Sequence, residues 1–254
     1  VGDTAVYATV QNEKSNSVKF TVISDKDFKV LPTIAAIDPV STTRNSYITI
    51  SGTGFGEYLG RIFVADSIQH TQSCVGPVAG QHTSCQELAV SLPAQCGNTW
   101  SDTQIIAQVP ENATIGKFFL ILQRGDAAKL KSSGVDQFEI KAGNPRPGIC
   151  LLDPSQGPAP LPSDNIEGLS LYGQNFSSEP LVYFQGQKTK LDDLSTWLVS
   201  AETDFIIKDD IAQKNNNKIQ TKIPVDLSDG SSMVTGFIKV KSDKEEVSNR
   251  VKYT

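Results

Sequence analysis

The chain has 254 residues, of which 38% are hydrophobic and 20% are charged, and its formal net charge is -5. The apolar content excludes a disordered chain, the acidic balance argues against a nucleic-acid surface, and the length favours two domains. The longest apolar run, residues 118–122, is far too short for a helix that spans a membrane in this segment.

The first 23 residues contain two short alternating segments. Their apolar positions are Val6, Ala8, Val10, Val18, Phe20 and Val22. Residues 11–17 between them are polar, so the pattern predicts an antiparallel hairpin whose strands each have one apolar face. A lone hairpin is marginal in water and needs a second sheet. We expect upstream residues or a neighbouring subunit, rather than the following domain, to complete it. Because the chain starts without Met or a signal peptide, we also expect a mature or excised piece.

Strand signals dominate the rest of the chain. Residues 47–51, 104–109 and 237–241 are rich in β-branched and aromatic side chains and are bounded by turn residues. Residues 191–201 are the one stretch in which we expect a short helix. Many short strands with frequent turns are typical of a β-sandwich.

An insert at about residues 66–99 contains most of the cysteines. The four cysteines are Cys74, Cys85, Cys96 and Cys150. Their even number and polar surroundings favour disulfides in an oxidising compartment over buried thiols. The insert also contains His70 and His82, but no Cys-x-x-Cys spacing supports a zinc site. A catalytic triad has even less support, so we expect neither an enzyme nor a cofactor.

Blocks of sequence recur along the chain. Residues 34–39 recur at 149–154, and residues 48–55 recur at 169–176. A closing strand occurs three times, at residues 15–21, 133–139 and 248–254. The nearly even spacing of these blocks predicts a tandem array of two full repeats, preceded by the tail of a third.

These blocks resemble the IPT/TIG family of immunoglobulin-like domains. The family pattern Pro-x-Ile-x-x-Ile-x-Pro occupies residues 32–39 and, in a diverged form, residues 147–154. The family turn Ile-x-Gly-x-Gly-Phe-Gly is intact at residues 50–56, whereas residues 171–177 carry Asn175 at the second glycine position. Asparagine tolerates the left-handed backbone region better than other non-glycine residues.

The resemblance implies an all-β fold of tandem immunoglobulin-like β-sandwiches. Two would be complete, at residues 32–141 with the insert and at residues 146–254, and residues 1–24 would be the last two strands of a preceding one. Phe55 and Phe176 stand in the same register of the two repeats. We expect them to close the ends of the two cores.

The resemblance also suggests how the cysteines pair. In an immunoglobulin-like sandwich, the connection after the third strand lies at the end from which the chain leaves, beside the next domain. We therefore expect a Cys74–Cys85 bridge within the insert and a Cys96–Cys150 bridge across the joint.

Three other patterns have ordinary structural explanations. Acidic clusters such as residues 226–230 allow a calcium site but fit solvated turns better. Trp100 and Trp197 are expected to pack against the domains, although as exposed side chains they would suit a sugar-binding surface. Asn112 and Asn175 both begin the N-glycosylation pattern Asn-x-Ser/Thr, and Asn175 is better explained as a turn residue.

Members of the resembled family serve as stalks, adhesin spacers, receptor ectodomains, enzyme appendages and DNA-binding modules. Our leading hypothesis is a non-enzymatic extracellular segment of a bacterial cell-surface stalk, fibre or adhesin. Its partners would be neighbouring immunoglobulin-like domains or subunits of the same protein, joined by strand complementation through residues 1–23. The alternative is a carbohydrate-binding appendage of a secreted polysaccharide-active enzyme. A surface glycan or protein ligand stays open, and a receptor ectodomain is less favoured because such chains are usually richer in cysteine.

Overall fold

The computed structural model divides the chain into two compact units, Val1–Leu31 and Pro32–Thr254. The structure describes residues 2–6, 9–10, 13–14, 18–22, 31–67, 69–72, 74, 85–125, 137–155, 169–178, 180–185, 198–199, 218–221 and 236–253. Within these ranges the regular secondary structure is almost entirely β-strand, and the helical part is limited to two short 3₁₀ helices. None of the described helices is long and apolar enough to cross a membrane.

The first unit contains two short antiparallel ladders. Strand β1 (Gly2–Val6) pairs with β4 (Val18–Val22), and β2 (Thr9–Val10) pairs with β3 (Glu13–Lys14). An antiparallel ladder that contains Val18–Val22 is confirmed, but its partner is Gly2–Val6, so it shares only the Val6–Val18 pair with the expected hairpin. The expectation that Val10 pairs with the Val18–Val22 strand is wrong, because Val10 pairs with Glu13, within the residues 11–17 that were expected to form the turn. Ala8 lies outside the described residues.

Eight strands form the first sandwich of the second unit. They are β5 (Thr33–Asp38), β6 (Ser41–Thr43), β7 (Tyr47–Thr53), β8 (Arg61–Ala65), β9 (Cys85–Leu88), β10 (Gln104–Gln108), β11 (Gly116–Gln123) and β12 (Gln137–Lys141). One sheet has the order β10-β7-β5 and the other has the order β6-β12-β11-β8-β9. Every pairing is antiparallel except β6 with β12, which is parallel. Two sheets that enclose one apolar core make the all-β sandwich that the sequence predicts.

The second sandwich repeats this plan. Its strands are β13 (Gly148–Asp153), β14 (Leu169–Gln174), β15 (Leu181–Phe184), β16 (Leu198–Val199), β17 (Lys218–Thr221), β18 (Gly236–Lys241) and β19 (Val251–Tyr253). The sheets have the orders β13-β14-β17 and β16-β15-β18-β19. Strand β16 lies within residues 191–201, where a short helix was expected. Leu198 and Val199 pair with β15 instead, so the helix prediction is wrong at these two positions.

The glycine turn after β7 and its counterpart after β14 have matching geometry. Gly54 has a φ of 73°, and Asn175, at the equivalent position, has a φ of 57°. The left-handed backbone therefore explains why glycine is replaced by asparagine here. Phe55 and Phe176 are both buried, each in the core of its own sandwich, as expected.

A third apolar cluster lies on the outer side of the five-stranded sheet. Outward-facing Phe63, Ala65 and Ile121 pack there with Cys74 and Cys85. These two cysteines form a disulfide with an S–S distance of 2.04 Å. The insert is therefore anchored to the back of the first sandwich by a bridge that covers apolar side chains.

Candidate functional site at the joint between the sandwiches

The joint between the two sandwiches is closed by a disulfide. Cys96 ends a short 3₁₀ helix, Ala94–Cys96, and its sulfur bonds to that of Cys150 at 2.04 Å. Cys150 occupies a β-bulge in β13, between Ile149 and Leu151. Both cysteines are buried. The pairing of all four cysteines is the one that the family resemblance implied, and it leaves no free thiolate for a zinc site.

The matching bulge in the first repeat shows what the cysteine adds. Strand β5 has the same irregularity between Ile34 and Ala36, which places Ala35 at the position of Cys150. Ala35 is exposed, whereas Cys150 is buried against the preceding sandwich. The same β-bulge is therefore present in both repeats, and only in the second repeat does the residue at the bulge form a disulfide.

Apolar side chains of the first sandwich extend the core of the second. Tyr47 on β7 and Ile106 on β10 point away from their own core and pack in the same cluster as Ile149. Gly148 lies flat against the Tyr47 ring, because a Cβ at this position would be 2.8 Å from a ring carbon. Burial raises the pKa of Tyr47 to about 12. The tyrosine is therefore a neutral packing residue at physiological pH.

Asn249 joins both sandwiches through one buried amide. Its Oδ1 accepts the Ile149 N–H at 2.8 Å, and its Nδ2 donates to the Ile149 carbonyl at 2.8 Å and to the Thr49 hydroxyl at 2.9 Å. Asn249 is 1% exposed and Thr49 is fully buried. The side chain thereby satisfies both backbone groups of the residue before the bulge and binds the outer face of β7.

A carboxylate at the end of β5 makes a second polar contact across the joint. Asp38 accepts the Lys239 ammonium at 3.1 Å and the backbone N–H of Arg250 at 2.6 Å. The side chains of Lys239 and Asp38 are only 13% and 15% exposed. Ion pairs in such a partly desolvated setting, with an added backbone donor, are more strongly coupled than surface pairs.

The linker between the sandwiches is held by Arg146. Its backbone N–H donates to the Ser46 hydroxyl at 2.9 Å, and its guanidinium donates to the Ser41 carbonyl at 2.9 Å. The same guanidinium lies 3.0 Å from a carboxylate oxygen of Glu246. Arg146 therefore connects the first sandwich, the linker and the second sandwich.

Two amide side chains complete the contact at the ends of β10 and β14. The Gln108 side chain donates to the Gln174 side-chain oxygen at 3.1 Å, and Gln174 donates to the Asn45 carbonyl. The joint thus combines one covalent bond, apolar packing and a network of polar contacts between the two sandwiches. Such an arrangement fixes an orientation, since each of its hydrogen bonds constrains both distance and angle.

The other sequence-predicted candidates lie away from this joint. Trp100 is 2% exposed and its indole N–H donates to the Gly56 carbonyl at 3.0 Å, so it packs as expected and offers no sugar platform. His70 Nδ1 pairs with Asp66 Oδ1 at 2.5 Å on the surface. His82, Trp197 and residues 226–230 lie outside the described residues. Within the described ranges, no group of three or more His, Cys, Asp or Glu side chains is placed to hold a metal ion.

Sequence reasoning identified the cysteines of the joint but missed its polar residues. The Asp-Pro pattern occurs in both repeats, at Asp38 and Asp153, so in the sequence it indicates only the end of a strand. It does not distinguish Asp38 as a residue that contacts the other sandwich. Asn249 is marked in the sequence by its recurrence, because the same Ser-Asn pair precedes the closing strand at residues 15–16. The partners of Asp38 and Asn249, however, lie in the other sandwich, and no local pattern predicts them.

Comparison with known proteins gives no family assignment. No family model matches the chain, and no curated protein matches it. Solved structures do match, at low sequence identity.

One match is a γ-CGTase from the alkalophilic Bacillus clarkii, with 14% identity, 97% of this chain and 30% of that chain covered, and a TM-score of 0.32. The plexin A4 extracellular region matches with 15% identity, coverages of 91% and 19%, and a TM-score of 0.32. SGBP-B from a xyloglucan utilization locus in Bacteroides uniformis matches with 16% identity, coverages of 87% and 48%, and a TM-score of 0.26. The chain spans less than half the length of each of these three proteins. Values this low assign neither a family, nor a ligand, nor an activity to this chain.

Proposed function

We propose that this chain is a non-enzymatic, extracellular structural segment of a cell-surface stalk, fibre or adhesin, built from IPT/TIG-like domains. The observation that carries the proposal is the joint. Two sandwiches, each with two sheets around an apolar core, are connected here by Cys96–Cys150, Asp38, Asn249 and Arg146. A rigid spacer must keep its neighbouring domains in a fixed relative orientation, which requires contacts of this kind. A flexible linker would need neither the disulfide nor the hydrogen bonds.

The two disulfides support an extracellular setting. All four cysteines are paired, and all four are buried. Structural disulfides form and persist in oxidising compartments and are rare in reducing ones. Secretion of the chain therefore accounts for its cysteine usage.

The hairpin of the first unit is proposed as the assembly element. Its predicted apolar positions, Val6, Ala8, Val10, Val18, Phe20 and Val22, need a second sheet, which a neighbouring subunit of the same protein would supply by strand complementation. Deleting residues 1–23 is then expected to abolish assembly, measured by size-exclusion chromatography with light scattering. Disulfide mapping and circular dichroism check that both sandwiches stay folded. Assembly that survives the deletion would contradict this role.

Single-molecule extension tests the structural role directly. In the oxidised chain, we expect the joint to open only when a sandwich unfolds. The force-extension trace should therefore show no separate opening event at a lower force. A separate low-force step in the native chain would contradict the proposal, because a stalk whose joint opens first does not transmit direction.

Two matched double variants calibrate that measurement. Cys96 and Cys150 are 54 positions apart, so replacing both with serine is expected to lengthen the fully extended chain by about 190 Å. Cys74 and Cys85 are 11 positions apart, and their replacement is expected to add only about 40 Å. The second variant removes a bridge without touching the joint and should leave the order of unfolding steps unchanged.

The carbohydrate-binding alternative required Trp100 or Trp197 to be exposed for stacking on a sugar, and Trp100 does not meet this requirement. Trp100 is buried, and its indole N–H is engaged by Gly56. The alternative now depends on Trp197. Binding to a broad glycan array that disappears in a Trp197→Ala variant would favour it over the structural role.

A further inference from the structure

The two N-glycosylation patterns of this chain are indistinguishable in sequence and different in structure. Asn112-Ala113-Thr114 and Asn175-Phe176-Ser177 both satisfy Asn-x-Ser/Thr. We infer that Asn112 is an acceptor for an N-linked oligosaccharide and that Asn175 is not. The inference rests on the proposed extracellular setting, since such transfer occurs on secreted chains.

The Asn112 pattern lies on a rigid exposed turn between β10 and β11. The Ala113 N–H donates to the Pro110 carbonyl at 3.2 Å, which closes a turn with Asn112 near its tip. Ala113 is 2% exposed, whereas Asn112 and Thr114 are both exposed. The buried alanine holds the turn in place and leaves both functional side chains of the acceptor pattern in solvent.

Contacts from two other elements fix the backbone of this turn. The Arg44 guanidinium donates to the Ala113 carbonyl at 2.6 Å, and the Thr114 N–H donates to the Gln86 side-chain oxygen at 2.7 Å. Among the residues that the structure describes, no hydrogen bond engages the Asn112 side chain. A glycan attached to its Nδ2 therefore displaces no native contact and projects from a loop, where bulky polar groups are tolerated.

The Asn175 pattern is part of the joint. Asn175 has a φ of 57°, and its Nδ2 donates to the Arg146 carbonyl at 3.1 Å. Phe176 is buried in the core, and the Ser177 hydroxyl accepts the Asp243 N–H at 3.2 Å. Both polar side chains of this acceptor pattern are therefore engaged in structure. A glycan on Nδ2 would stand beside the linker that holds the sandwiches together.

The chemistry at Asn112 is a group transfer. Its Nδ2 forms a bond to the anomeric carbon of the reducing-end sugar of a polyprenyl-pyrophosphate-linked oligosaccharide. The bond from that carbon to the pyrophosphate oxygen breaks, the polyprenyl pyrophosphate leaves with the electron pair, and Nδ2 loses one proton. No oxidant or reductant is needed.

The experiment is to secrete the full chain from a eukaryotic cell behind an appended signal sequence and to map its glycans. Mass spectrometry after peptide:N-glycosidase F treatment in heavy-oxygen water marks each occupied asparagine. The expected result is label at Asn112 and none at Asn175. Asn112→Gln and Thr114→Ala should both abolish the label, and Thr114→Ser, which keeps the acceptor pattern, should retain it.

Ser177→Ala is the matched control for the second pattern. It is expected to leave the glycan content unchanged, because Asn175 carries none. An unglycosylated chain, or label at Asn175 with or without Asn112, would overturn the inference. Secretion is forced in this experiment, so a failure here concerns the acceptor alone, whereas the structural role is tested separately by the order of unfolding under force.

Discussion

At the residue scale, the joint depends on polar side chains that contact both sandwiches. Asn249 is the clearest case, because its amide satisfies the N–H and the carbonyl of Ile149 and also binds Thr49. Removing one partner from a buried hydrogen bond leaves the other with its desolvation cost. Such a residue therefore affects the free energy of unfolding mainly because its removal would leave its buried partners without hydrogen bonds.

Asn249→Ala is expected to lower the free energy of unfolding by about 3 kcal/mol, because three buried polar groups lose their partner. Urea unfolding followed by fluorescence measures the change. Asn112→Ala is the control, since Asn112 is exposed and its truncation should change stability by no more than about 0.5 kcal/mol. Equal effects of the two substitutions would show that the Asn249 network does not stabilise the joint.

Tyr47 gives the joint a pH dependence. Burial raises its pKa from the ordinary 10.0 to about 12, so the unfolded chain releases this proton at lower pH than the folded chain. Between about pH 10 and pH 12 the folded state binds more protons, and stability therefore falls as pH rises. Urea unfolding across this range should show the fall, and Tyr47→Phe should reduce it. An unchanged slope in Tyr47→Phe would contradict the assignment.

At the scale of secondary-structure elements, both sandwiches rely on a close approach of two strands at the glycine turn. A Cβ at Gly52 would lie 2.0 Å from the Thr33 carbonyl oxygen, and a Cβ at Gly173 would lie 1.8 Å from the Gly148 carbonyl oxygen. Each glycine thus lets the first strand of its sandwich cross the next strand beside the bulge. The second repeat keeps the glycine at this contact, although the other turn glycine, Gly54 in the first repeat, is replaced there by Asn175.

Gly52→Ala and Gly173→Ala are each expected to destabilise the chain by about 3 kcal/mol, because the new methyl group collides with backbone that cannot move cheaply. Gly97→Ala separates this collision from backbone strain. Gly97 has a φ of 60° and a ψ of -142°, and a methyl group added there would meet nothing within 4 Å, so its substitution should cost only the backbone strain, about 1–2 kcal/mol. Thermal unfolding ranks the three variants, and a Gly97 variant as unstable as the other two would contradict the steric explanation.

The repeat pattern predicted the elements well because it is a local signal. Strand alternation, turn glycines and the tolerance of Asn175 for left-handed backbone all act over a few residues, and the structure contains each of them. The prediction failed where the local signal was weak, as at Leu198–Val199, which pair with β15 instead of forming a helix. It also failed for Val10, which was expected to pair with the Val18–Val22 strand and pairs with Glu13 instead.

At the scale of the whole molecule, residues 32–254 form one compact unit, although the sequence reads as two domains. The Cys96–Cys150 bridge closes a loop of 54 positions, worth about 4 kcal/mol in the chain-entropy description. The pairing was predictable because the resemblance to an immunoglobulin-like sandwich implies that the connection after the third strand lies beside the next domain. The contacts of Asn249 with Thr49 and of Asp38 with Arg250 were not, because they join residues 200 and 212 positions apart and depend on how two complete sandwiches meet.

The central claim is that the joint fixes the two sandwiches in a single orientation. Residual dipolar couplings of the full chain in a weakly aligning medium test it most directly. The account predicts that couplings from residues 33–141 and from residues 148–253 fit one common alignment tensor. Two tensors that differ in magnitude or in axis direction would contradict it, because they would show that the sandwiches move independently in solution.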